Sequence, residues 1–122
     1  MVTPTPPGWP AAVRPPGAPD WERDAVAWLL DQCPPEYRGH EVLRRHPAAL
    51  AWLAGHHVAA AQSASAVAVS RLRGDLAGVL EPRPLGEVME VLEREQVRLL
   101  AARRAVALVE QALRGERYVP RL

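Results

Sequence analysis

Residues 47–70 read PAALAWLAGHHVAAAQSASAVAVS, a run of 24 positions without Asp, Glu, Lys or Arg. Alanine dominates this run, and alanine is the residue most favourable to a helix interior. Pro47 suits the first helical position, because its missing N–H would have no helical partner there. The stretch therefore predicts a long helix that begins at Pro47 and continues to about residue 80.

This predicted helix has no polar side. A long helix on a protein surface normally carries charged residues along one face. We expect its core face to be the stripe at helical spacing formed by Leu50, Leu53, His57, Ala61, Ala64, Ala68, Leu72 and Leu76. Uncharged residues also occupy the other faces, and the candidate interaction residues there are Trp52, Ala59, Ala66 and Val69. Other helices, some of them from a second subunit, are expected to cover these faces. A membrane span is not favoured, because polar residues such as Gln62 interrupt the run.

A second long helix follows a short proline-marked turn, Glu81-Pro82-Arg83-Pro84. One heptad position holds Leu85, Leu92, Leu99, Val106 and Leu113, and the other holds Val88, Glu95, Ala102 and Val109. A short connection forces neighbouring helices to run antiparallel. The sequence therefore predicts an all-α fold whose centre is an antiparallel hairpin of residues 47–80 and 84–114, with coiled-coil-like packing.

The region before the hairpin predicts a proline-rich arm and two short helices. Residues 1–19 hold seven of the 13 prolines, which predicts an extended arm on the surface of a single helical domain, residues 20–122. Asp20 is a suitable N-cap for the first helix, which Pro34 ends. The second short helix is expected from Glu36 to His46. The residues expected to point inward are Trp21, Ala25, Trp28, Leu29 and Cys33 in the first helix, and Tyr37, Val42 and Leu43 in the second.

Composition predicts a cytoplasmic protein. Hydrophobic residues make up 48% of the chain, the net charge is +1, and Cys33 is the single cysteine. One cysteine excludes an internal disulfide and fits a reducing compartment. The N-terminal sequence has neither the basic nor the apolar region of a signal peptide. All 15 basic residues are Arg, and Asn, Ile and Phe are absent with Lys, which is typical of a GC-rich genome such as that of an actinobacterium.

Catalytic and metal-binding patterns are not found in the sequence. Zinc needs three or four Cys, His or carboxylate ligands. The adjacent His56 and His57 would point about 100° apart on a helix, so they are poorly placed to share one ion. We interpret His57 as a hydrogen-bonded residue of the core. Cys33 lies at the C-terminal end of a helix, where the dipole does not favour a thiolate. The sequence therefore predicts a protein that is not an enzyme and holds no metal or cofactor.

Two functional hypotheses remain. The leading one is a helical interaction or accessory module that forms a homodimer or binds another helical protein through its uncharged helix. The alternative is a small nucleic-acid-binding regulator that uses Arg44 and Arg45, with Arg71 and Arg73. Against that alternative, acidic residues are interleaved with the arginines and the net charge is close to zero.

Three segments carry a resemblance to small actinobacterial proteins. They are Pro7-Gly8-Trp9-Pro10, the segment from Arg14 to Glu22, and the segment from Arg104 to Gly115. The chain is similar over most of its length to small all-helical actinobacterial proteins with no known activity. The resemblance implies a helical fold and no particular chemistry.

Overall fold

The computed structural model describes residues 4–121, which form helices and turns with no β-strand among them. The elements in chain order are α1 (Trp21–Asp31), a 3₁₀ turn (Pro35–Gly39), α2 (Glu41–Arg45), α3 (Pro47–Leu76) and α4 (Pro82–Leu113). The all-α prediction is confirmed, and so is the pair of long helices that pack along each other. Met1 to Thr3, at the start of the predicted arm, and Leu122 lie outside the described residues.

The turn between the long helices differs in position from the predicted one. α3 ends at Leu76 rather than near residue 80, and the N–H groups of Val79 and Leu80 donate to the Leu76 carbonyl oxygen. α4 begins at Pro82 rather than at residue 84. Pro82 and Pro84 therefore both lie in the first turn of α4. Proline is tolerated there because the first N–H groups of a helix have no helical partner.

The buried face of α3 is rotated relative to the predicted stripe. The buried residues are Leu50, Ala51, Ala54, Val58, Ser65 and Leu72. Leu53 and His57 are only half-buried, and Ala64 is exposed. The predicted phase was wrong because a helix without charges offers no polar face from which the core face can be located.

α4 follows its predicted pattern more closely. Leu85, Leu99, Val106 and Val109 are buried, and Leu92, Glu95, Ala102 and Leu113 are half-buried. Val88 is exposed, and Met89 takes the interior position beside it. The phase could be predicted here because charged residues mark the outer face of this helix.

The remaining elements pack on one half of the hairpin, which we call the base. Its core contains Val13, Ala25, Leu29, Leu30, Leu50, Ala51, Ala54, Val58, Leu99, Val106 and Val109. We call the opposite end, next to the turn, the tip. Its core consists of Leu72, Leu85 and Met89, which all belong to the two long helices. The tip half of the hairpin therefore projects as two helices from a small helical base.

The second short helix is divided into two pieces. Residues Pro35–Gly39 form the 3₁₀ turn, and α2 begins only at Glu41. Between them His40 has an extended backbone, with φ of −103° and ψ of 99°. Gly39 disfavours helix continuation, which accounts for the break. Val42, predicted to point inward, is exposed, whereas Tyr37 and Leu43 pack against the base core.

The first helix begins where predicted but without the predicted cap. Asp20 precedes α1 with a φ of 63°, and its side chain makes no capping hydrogen bond. Its carboxylate lies 3.8 Å from the Arg14 guanidinium. Asp24 instead accepts a hydrogen bond from the Arg14 backbone N–H at 3.1 Å. These contacts tie the start of α1 to the preceding segment. Ala25 and Leu29 are buried as expected, and Trp21, Trp28 and Cys33 pack at the edge of the base core.

The described part of the arm, residues 4–19, belongs to the packed structure rather than lying loosely on its surface. Val13 is only 3% exposed and is a member of the base core. The indole N–H of Trp9 donates to the Val13 carbonyl at 2.8 Å, and the Trp9 ring lies 6.4 Å from that of Trp21. Arg104 Nε donates to the Pro7 carbonyl at 3.0 Å. The N–H groups of Trp9, Val13 and Ala18 each donate to the carbonyl three residues earlier, so the arm is a series of turns. The prediction of an extended arm was therefore wrong.

Candidate interaction surface

One side of α3 is exposed and uncharged between the base and the tip. Its residues follow one another at intervals of three or four, which places them on one helical face. They are Trp52, His56, Ala59, Ser63, Ala66 and Ser70, all exposed except the half-buried Ala59. Trp52 is 52% exposed, a large fraction for the largest apolar side chain. Its ring lies 4.3 Å from that of His56, so the two rings support each other on the surface.

α4 contributes a second row to the same surface. Val97 and Leu100 are 72% and 64% exposed. Glu93 and Arg104 lie at the same helical spacing on either side of them and are exposed as well. We call the two rows together the open face. It consists of the α3 row and of Glu93, Val97, Leu100 and Arg104.

A shallow groove shows that α3 and α4 adjoin on this side of the hairpin. It has a volume of about 280 Å³ and includes Trp52, Gly55, His56 and Ala59 from α3 with Arg103, Val106, Ala107 and Glu110 from α4. Arg103 crosses between the helices and donates to the Gln62 side-chain oxygen at 2.9 Å. The open face is therefore two helices wide, and the groove with Arg103 lies between its two rows.

Three of the four predicted interaction residues on α3 lie on the open face. Trp52, Ala59 and Ala66 belong to the α3 row of this face. Val69 is different, because it packs against the tip core of Leu72 and its neighbours. It contributes to the contact between α3 and α4 and is not available to a partner.

Sequence reasoning missed the contribution of α4. Val97 and Leu100 lie on the side of α4 away from the heptad positions, and the heptad predicts no role for them. The available signal was the presence of two large aliphatic residues on that side, since a fully solvated face is normally polar.

The arginines of the alternative hypothesis do not form one patch. Arg44 and Arg45 lie on α2 at the base, and Arg44 is 3.9 Å from Glu41. Arg71 lies near the tip, and its Nε is 3.3 Å from a carboxylate oxygen of Asp75. Pro47, at the start of α3 next to α2, and Arg71 are separated by about 36 Å along α3, at 1.5 Å per residue. Positive charge is thus divided between two distant, partly neutralised clusters.

Charge on the opposite side of α4 is compensated locally. Arg98 donates to both carboxylate oxygens of Glu95. These hydrogen bonds hold the pKa of the Glu95 carboxyl below its ordinary value. The one acidic residue in the predicted heptad stripe is therefore tolerated because Arg98 pairs with it one helical turn away.

His57 and Cys33 were the residues considered for metal binding and for nucleophilic chemistry, and each has contacts typical of a structural residue. The Nε2 atom of His57 lies 2.8 Å from the Tyr37 hydroxyl, which agrees with the interpretation of His57 as a hydrogen-bonded residue. Burial raises the pKa of the Cys33 thiol, and nearby Arg38 only partly opposes this. A raised pKa keeps the thiol protonated near neutral pH and lowers its nucleophilicity. Within residues 4–121, no group of three His, Cys, Asp or Glu side chains could hold a metal ion.

Comparisons of the chain with protein-family models, with curated proteins and with solved structures found no match. Within the described part of the chain, none of the helices contains a stretch with the length and hydropathy that crossing a bilayer requires.

Proposed function

We propose that the protein is a non-enzymatic helical interaction module that self-associates through its open face. The observation that carries the proposal is the exposed and uncharged row on α3, with Trp52 at its base end. Charged residues are depleted at the centres of protein interfaces, and tryptophan is enriched there. Ordinary solvent-exposed helices show the opposite composition.

The shape of the open face supports a helical partner. Its α3 row extends from Trp52 to Ser70, a length of about 27 Å at 1.5 Å per residue. Its width is that of two helices, about 20 Å. This is the scale of a small protein–protein interface, for which about 800 Å² of accessible surface per partner is typical. Ridges of side chains on a second helical pair would fit the grooves of this one.

Cysteine protection tests this proposal. Ser63→Cys places a thiol in the middle of the open face, in a Cys33→Ser background that removes the natural thiol. We expect its rate of maleimide labelling to fall about tenfold as the protein concentration rises from about 0.1 to about 100 µM, for a low-micromolar Kd. The control is Ala27→Cys, an exposed position on α1, outside the open face. Its labelling rate should not depend on concentration.

Self-association through the open face would be contradicted by labelling of Ser63→Cys at one constant rate over this range. Protection of both positions would also contradict it, because the protected surface would then not be the open face. Circular dichroism of each variant shows whether the helical fold is retained.

A further inference from the structure

The α4 row of the open face is self-complementary. Along the helix it reads Glu93, Val97, Leu100 and Arg104, with intervals of four, three and four residues. An acidic residue thus lies at one end, a basic residue at the other, and two aliphatic residues between them. When a second copy of the row is laid on it in the antiparallel direction, Glu93 faces Arg104 and Val97 faces Leu100.

The α3 row has a matching asymmetry of size. Trp52 stands at its base end, and the small side chains of Ala66 and Ser70 stand towards the tip. Turning this row end over end places the large indole over small residues. A direct stack of the two tryptophans is thereby avoided, and close packing is favoured.

The two rows share nearly the same centre. The midpoint of the α4 row lies between residues 98 and 99. Gly55 of α3 adjoins Val106 of α4, with 3.8 Å between an added Cβ and the valine side chain, so this midpoint lies at about the height of residue 63 of α3. The α3 row, from Trp52 to Ser70, has its midpoint at residue 61, about 3 Å away at 1.5 Å per residue. One two-fold axis can therefore relate both rows.

We propose that the open face is covered by a second copy of this chain in an antiparallel arrangement, with α4 stacked on α4 and α3 on α3. Glu93 of each copy then pairs with Arg104 of the other copy. Val97 packs on Leu100, and Trp52 lies over Ser70. This inference rests on the proposed self-association and adds its geometry.

The charges decide between this arrangement and the other face-to-face stack. If α4 of one copy lay on α3 of the other, Glu93 and Arg104 would face a row without a charged residue. Covering a charge without a partner is strongly unfavourable. Neither Glu93 nor Arg104 forms an ion pair within residues 4–121. The Nε of Arg104 is held by Pro7, while its two terminal nitrogens can donate to a partner carboxylate.

A charge-reversal experiment tests the arrangement. In Glu93→Arg the antiparallel dimer would bring two pairs of arginines together, and in Arg104→Glu two pairs of glutamates. We expect each variant alone to dimerise at least about tenfold more weakly than the wild type, because like charges at an interface repel. In an equimolar mixture both charge pairs are restored within the heterodimer. Sedimentation velocity should then show dimerisation close to the wild-type strength. Glu116→Arg, in the exposed C-terminal tail, is the control and should leave dimerisation unchanged.

The possible outcomes separate the geometry from the proposed function. If the wild type dimerises but the two variants and their mixture behave like it, the antiparallel arrangement is wrong and self-association stands. If the variants dimerise weakly and mixing does not rescue them, the arrangement is also wrong, because Glu93 and Arg104 then do not face each other. A wild type that stays monomeric overturns both proposals. Helical content measured by circular dichroism distinguishes weak dimerisation from failure to fold.

Discussion

Leu50→Ala is expected to lower the free energy of unfolding by about 2–5 kcal/mol, the range for truncating a fully buried leucine. Leu50 is completely buried in the base core, where Leu29 and Val106 are also members. The truncated side chain loses its burial and leaves a cavity, because the surrounding helices can only partly close around it. Urea unfolding followed by circular dichroism measures the effect as a lower midpoint at unchanged slope.

Val79→Ala is the control for this prediction. Val79 lies in the hairpin turn and is 72% exposed. Its truncation should change the free energy of unfolding by no more than about 0.5 kcal/mol, as for most surface substitutions. Equal losses in the two variants would show that Leu50 does not lie in a packed core, and the base would then have to be assembled differently.

Ala66→Arg is expected to weaken self-association by at least about a hundredfold, equivalent to about 3 kcal/mol. Ala66 lies on the exposed, uncharged row of α3. An arginine there would be covered by the partner without an acid to pair with. The isolated chain should remain folded, since alanine and arginine are both good helix formers. Dilution series in sedimentation velocity compare the dissociation constants.

The matched control is Ala60→Arg. Ala60 is also exposed on α3, but its helical position lies to the side of the row formed by Ala59, Ser63 and Ala66. The same charge at that position should leave the dissociation constant within about threefold of the wild type, as expected for a charge at the rim of an interface. If both substitutions weaken association equally, the effect is one of net charge and the open face has no special role.

The sequence was most informative where polar and apolar residues alternate with a helical period. The charged residues of α4 identified its outer face, so Leu99, Val106 and Val109 could be assigned to the core. In α3 the same reasoning gave the wrong phase. With no charge between residues 47 and 70, any rotation of the helix satisfies the pattern, and only packing against α4 chooses one of them.

Proline-rich and short segments were predicted least well. Proline content describes a backbone that cannot form regular structure, but it does not show whether that backbone is packed. Val13 is buried in the base core, and Arg104 holds the arm in place by donating to the Pro7 carbonyl. Arg104 and Pro7 are distant in sequence, so proline content does not reveal their contact. Val42 was assigned inward from a helical period that His40 interrupts.

The candidate site was predicted in part. The absence of charge led directly to Trp52, Ala59 and Ala66, which all lie on the open face. The α4 half was missed because a heptad explains a helix with one apolar stripe, and Val97 and Leu100 lie outside that stripe. Their role follows from the exposure of both residues and from the groove between α3 and α4. The period of a single helix reveals neither of these features.

The most direct test of self-association is the molar mass of the untagged wild-type protein in solution. We would measure it by multi-angle light scattering at tens of micromolar and on dilution. We expect a mass approaching about 26.8 kDa, twice the 13.4 kDa of one chain, and we expect it to fall as the protein is diluted. A mass of 13.4 kDa at every concentration would contradict self-association.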